Sequence, residues 1–168
     1  MKRFLNTLLI SLILVIWVGC ATKPEPPSGN HRLQPGFYIL ECDAFYETGL
    51  VHITSTNLGY NVNVLEKFRG SFDLHFGSKP NTTRIKNDQI DYGELRRSLK
   101  GWVFIYPDNR AEGEATVWIS GSRHHRADRT LKIHPANQGE FDRTKRRLIA
   151  RNEWPFGDIN IDGSPVQN

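Results

Sequence analysis

From Phe37 onward the chain keeps returning to one pattern, an apolar residue at every second place, and that period belongs to half-buried β-strands. Val51 and Ile53 alternate with His52 and Thr54. Tyr60, Val62 and Val64 alternate with Asn61 and Asn63, and Phe72, Leu74 and Phe76 with Asp73 and His75. Ala115, Val117 and Ile119 repeat the pattern, followed by Leu131 and Ile133. Gly, Asn, Pro and Asp punctuate the runs at Thr48-Gly49, Asn57-Leu58-Gly59, Arg69-Gly70, Gly77 to Asn81 and Pro107-Asp108-Asn109. Connections this short join antiparallel neighbours, so the chain reads as a meander.

Runs near 37–44, 49–56, 60–68, 71–76, 84–92, 100–106, 113–121 and 128–134 predict about eight strands, with a ninth near 144–150. A twisted sheet of that size curls or closes, which removes its exposed edges. The expected fold is therefore all-β, an antiparallel meander forming a small barrel or rolled sheet, with a two-sheet sandwich as the alternative. Trp102 to Tyr106 is apolar on both faces, which predicts either a strand covered on both sides or one lining an internal cavity through Trp102, Phe104 or Tyr106. Asp91-Tyr92-Gly93-Glu94 has the form of a capping box and predicts a short helix through Leu95 and Leu99.

Ahead of this domain, Met1-Lys2-Arg3 gives a positive start and Phe4 to Val18 a mostly apolar stretch, the layout of an export signal. Fifteen residues would make a helix of roughly 22 Å, short of the ~30 Å hydrocarbon core, so permanent spanning is disfavoured. Trp17-Val18-Gly19-Cys20 resembles the lipobox of bacterial lipoproteins. That resemblance implies alkylation of the Cys20 thiol, cleavage of residues 1–19, and a mature chain held by fatty-acyl chains, palmitate among them. With Ala21 after the cysteine, it further implies an outer-membrane lipoprotein facing the periplasm. Gly19-Cys20-Ala21 also fits an ordinary signal peptidase, so a soluble periplasmic protein is the alternative; an uncleaved anchor is the third reading.

Pro24, Pro26, Pro27 and Pro35 predict an extended tether over 20–35, a β domain over 36–151 and an acidic C-terminal tail over 152–168. Without residues 1–19 the chain carries a net charge of +2, unevenly placed. The balance is −1 over residues 21–120, +6 over 121–151 and −3 over 152–168. The basic share, with Arg123, Arg126, Arg129, Arg146 and Arg147, is a candidate patch for anionic envelope lipid or acidic cell-wall polymer. Nucleic acid is not expected in that compartment. Trp118, between Thr116 and Ser120, is a candidate sugar or partner contact.

Cys42 alternates onto the face of Tyr38 and Leu40 and is expected as a small buried hydrophobe. Asp158-Ile159-Asn160-Ile161-Asp162-Gly163 matches the opening of a calcium loop but lacks its twelfth-place acid, so a polar tail is favoured. His124, His125 and His134 sit among arginines that would repel a cation. No metal or cofactor is expected. Glu41 with Asp43, and Glu112 with Glu114, have the spacing of paired carboxylates on one strand face. No nucleophile motif or phosphate loop accompanies them. The reading is a lipid-anchored, non-catalytic binding module. The alternatives are a small envelope enzyme acting on glycan through Glu112 or Glu114, and a structural subunit of an envelope assembly.

Overall fold

The structure, a computed structural model, describes residues 26–42, 47–66, 69–86, 89–92, 95–120 and 125–167. For 47, 48, 69, 89–92, 95–99, 117–120 and 125–129 it describes the backbone alone. Nine strands form one antiparallel sheet: β1 (Gly36–Cys42), β2 (Glu47–Thr56), β3 (Gly59–Val64), β4 (Arg69–Phe76), β5 (Thr82–Lys86), β6 (Gln89–Tyr92), β7 (Leu95–Ile105), β8 (Ala111–Ser120) and β9 (His125–Pro135). Each pairs with its sequence neighbour apart from β5 and β6, which lie end to end between β4 and β7. Leu74 faces Ile85 whereas Gly70 faces Ile90, so the register slips by one residue between those two halves. Closure comes from β1 against β9, with Tyr38 opposite Pro135 and Cys42 opposite Leu131. The result is the closed meander barrel of eight strand positions that the alternation anticipates, not a sandwich.

A barrel of this size has room inside for side chains and little more. Alternate residues supply them: Tyr38, Leu40 and Cys42 from β1, Val51 and Ile53 from β2, Phe72 and Leu74 from β4, Leu131 and Ile133 from β9. Cys42 is buried among them as expected. On the β7–β8 side the inner positions shrink to Ala111, Gly113 and Ala115. A side chain on Gly113 would stand 1.9 Å from the Trp102 carbonyl oxygen, so the tightly coiled ladder admits only glycine there.

Two sequence expectations give way to pairing. The segment near 144–150 is no strand: it belongs to helix α1 (Gln138–Ala150), because Phe141, Thr144 and Leu148 share one buried face at helical spacing. Asn137 Oδ1 accepts from Glu140 N at 2.9 Å, and Asn137 N donates to Glu140 Oε2 at 3.0 Å, a complete capping box. The closed ring also offers no edge for another strand. Conversely, Leu95 to Leu99 is strand β7, not helix, because ladders to β6 and β8 satisfy its backbone from both sides; Gly93 and Glu94 lie outside the described residues.

A second apolar layer lies on the outside of β1 and β2. Phe37, Ile39 and Leu50 point outward and are covered by Phe141 and Leu148 of α1 and by Trp154, Phe156, Ile159 and Ile161. Residues 152–167 are therefore a packed cover, tied down by a hydrogen bond from Phe37 N to Ile161 O of 2.9 Å, and not a free polar tail. The expected boundary at 35 and 36 is likewise no limit of the fold, since Leu33 is 2% exposed and belongs to the barrel core. Among the described residues no helix is long and apolar enough to cross a membrane.

Candidate functional site

Residues 26–35 cross one end of the barrel as a strap. Leu33 drops into the core, and its N–H donates to the Tyr60 hydroxyl at 3.0 Å. The Tyr38 hydroxyl donates to Gln34 O at 2.7 Å, and burial pushes its pKa from 10.0 up to about 12, with Tyr60 adding to the shift. The principal fastening is Asn81 in the β4–β5 turn, 6% exposed and at φ 57°. Its Nδ2 donates to Pro27 O at 2.6 Å and to Gly29 O at 2.7 Å, and its Oδ1 accepts from His31 N at 2.5 Å. One side chain therefore commits both its donors and one acceptor site to the strap. The Asn81 backbone carbonyl also accepts from Ile105 N at 2.8 Å, coupling strap, turn and β7.

Between strap and turn lies an open depression of about 180 Å³, bordered by His31, Arg32, Phe76, Lys79, Asn81 and Thr82 among others, with no carboxylate among the described residues of its wall. The Arg32 guanidinium stands 3.8 Å over the Phe76 ring, a cation–π contact that leaves the charge at the surface. Phe76 is 40% exposed, and Leu58, whose carbonyl accepts from Phe76 N at 2.8 Å, is 63% exposed. Sequence reasoning missed Asn81, Arg32, Phe76 and Lys79 as a group. The available signal was Lys79-Pro80-Asn81, a turn ending in a residue that tolerates positive φ.

The expected cavity residues stand elsewhere. Val103 and Ile105 take the inner face of β7, at 0% and 1% exposure, so Trp102 and Phe104 are on the outer wall, partly buried, with ring centroids 4.4 Å apart. Alternation within β7 fixes this: with Val103 and Ile105 turned into the core, their neighbours Trp102 and Phe104 must face outward. Arg84 and Glu114 flank Trp102 in register, and Thr82 and Glu112 flank Phe104. Tyr106 is at the rim, 5.1 Å from the Arg110 guanidinium. Arg110 also holds Asp108 at 2.5 Å and Glu112 at 2.7 Å, so Glu112 is engaged by a cation, and Glu114 is exposed on an open wall.

The basic segment is divided between two elements. Its first half lies at the β8–β9 end, where Arg126 stands opposite Trp118 and Arg129 opposite Ala115. The side chains of Trp118, Arg126 and Arg129, and all of Arg123, lie outside the described residues. Its second half is on α1, where Arg147 pairs with Glu66 and Lys145 with Asp158 at 3.3 Å, while Arg143 and Arg146 are exposed.

In the calcium-like stretch Asp158 is held by Lys145, and the other two polar side chains bind the loop itself. Asp162 Oδ1 accepts from Ser164 N at 2.9 Å and Ser164 Oγ at 2.6 Å, bonds that hold its carboxyl below the usual range. Asn160 Nδ2 donates to Ser164 Oγ at 3.0 Å. His134 Nε2 lies 3.4 Å from Glu41 Oε1; Asp43 and His124, and the ring of His125, lie outside the described residues. Among the described residues no three His, Cys, Asp or Glu side chains are grouped as metal ligands would be. Cys20, with the rest of residues 1–25, also lies outside them. Compared with family models, curated proteins and solved structures, the chain matches none.

Proposed function

We propose that this chain is a lipid-anchored lipoprotein of the cell envelope, attached through Cys20, and that its barrel is a non-catalytic binding module for wall glycan. The observation that carries the binding reading is the aromatic pair Trp102 and Phe104, kept outside a barrel whose interior is filled with other side chains. Aromatic faces give a large apolar contact without flexible groups to order, and sugar rings present C–H faces that stack on them. Thr82, Arg84, Glu112 and Glu114 on the neighbouring strands provide hydroxyl, cationic and anionic partners for glycan polar groups. The lipoprotein part rests on the lipobox-like Trp17 to Cys20 after a short apolar signal.

Two measurements test the reading. Intact mass of the mature chain from membranes is expected to show a diacylglyceryl addition on Cys20 and loss of residues 1–19; an unmodified thiol there sinks the anchor. Cosedimentation with purified wall sacculi is expected to drop about tenfold or more for Trp102→Ala with Phe104→Ala, each ring supplying roughly 1 kcal/mol of contact. Unchanged cosedimentation removes the aromatic wall as the binding surface.

A further inference from the structure

The strap determines which end of the barrel is nearest the anchor. We propose that this end is a membrane-docking surface for anionic lipid headgroups, with Leu58 and Phe76 entering the interface and Arg32 and Lys79 meeting the phosphates; this rests on the lipoprotein reading.

Chain length makes the first argument. Asn81 holds the carbonyls of Pro27 and Gly29, so the strap contributes no slack beyond Pro26. Five residues lie between Cys20 and Pro26, six peptide steps that reach at most ~22 Å when fully extended. An acylated Cys20 therefore keeps the strap end at the bilayer, closer than an extended tether over the whole of 20–35 would hold it.

Surface chemistry makes the second. At this end two apolar side chains are left in water, Leu58 at 63% and Phe76 at 40% exposure. They are joined through the Phe76 N to Leu58 O bond of 2.8 Å, so they enter an interface together. Arg32 caps Phe76 from the strap, and Lys79 lies across the depression. Apolar tips with cations beside them match the boundary between acyl chains and headgroups, where the tips lose water and the cations keep phosphate neighbours. Of the acids toward this end, Asp108 and Glu112 share Arg110, and Asp162, on the β1 side, keeps its charge but lies outside the depression that holds Arg32 and Lys79. A depression bounded by His31, Arg32 and Lys79, with no carboxylate among its described residues, has the sign and the size for one headgroup phosphate.

The test uses the full chain purified with its acyl groups and reconstituted into phosphatidylethanolamine vesicles, with or without phosphatidylglycerol. A single environment-sensitive dye is attached through Leu58→Cys or Ile149→Cys under native conditions, where Cys42 is buried. Both positions are exposed, and Ile149 lies about 18 Å along α1 from its N-cap, away from the strap. A quencher on the lipid headgroups is expected to reach the label at 58 and not at 149. Omitting phosphatidylglycerol, or introducing Arg32→Glu with Lys79→Glu, is expected to lower the ratio of docked to undocked molecules about fivefold per basic residue. Equal quenching at both positions, or no response to either change, overturns the docking surface while the acyl mass leaves the lipoprotein reading standing. Absence of the acyl mass overturns both.

Discussion

Asn81 combines a left-handed backbone with a buried amide, and both properties serve the strap. Among non-glycine residues, asparagine tolerates φ 57° best, and only an amide offers two donors and an acceptor to three backbone groups. Asn81→Gly keeps the turn and loses the bonds, whereas Asn81→Ala loses the bonds and adds backbone strain. Losses of about 2 kcal/mol for Gly and about 3 to 4 kcal/mol for Ala are expected in urea denaturation, the gap reflecting the cost of a left-handed alanine. Equal losses would mean that the backbone conformation contributes nothing. The residue Asn81 was readable as a turn former; its partners, some fifty positions earlier, were not.

Helix α1 and the segment after it behave as one cover over the outer face of β1 and β2, with His52 at its edge. Its ring lies 4.7 Å from Phe37 and 4.9 Å from Phe156, and burial lowers its pKa from 6.5. A histidine with a depressed pKa binds more protons when unfolded or uncovered, so the packed state keeps its full contribution above about pH 6.5 and loses it as pH falls. Lowering the pH from about 7 toward about 5 is expected to loosen the cover, read as lower amide protection factors, relative to the intrinsic exchange rate at each pH, in residues 154–161 with the barrel strands still protected. His52→Phe should remove this response. An identical acid response in that variant would assign it to other groups. The helix itself was misread as a ninth strand. Leu148 and Ala150 alternate over a short window, and the decisive features, the Asn137 to Glu140 capping box and the Phe141 to Leu148 spacing, lie further upstream.

At the scale of the whole molecule, the barrel is closed by strands far apart in sequence, β1 with β9, and its open end is plugged by Leu33 of the strap. Leu33→Ala should therefore weaken the entire barrel and not just the strap. A loss of about 2 to 4 kcal/mol is expected in a single cooperative transition, measured by near-ultraviolet dichroism, in line with truncation of a buried leucine. A separate early transition would show that the strap folds independently. What the sequence determined by itself was everything carried by local repetition: strand period, turn positions, antiparallel connection and hence a sheet that closes, together with a buried Cys42. Those follow from steric and hydrophobic preferences acting over a few residues. Tertiary structure alone decided which face of Trp102 to Tyr106 turned inward, that Leu33 belongs to the core, that residues 154–161 cover β1 and β2, and that the basic segment divides between a hairpin and a helix. Each of these depends on the space left by other elements after closure. No alternation of residues along the chain encodes the width of the barrel it will make.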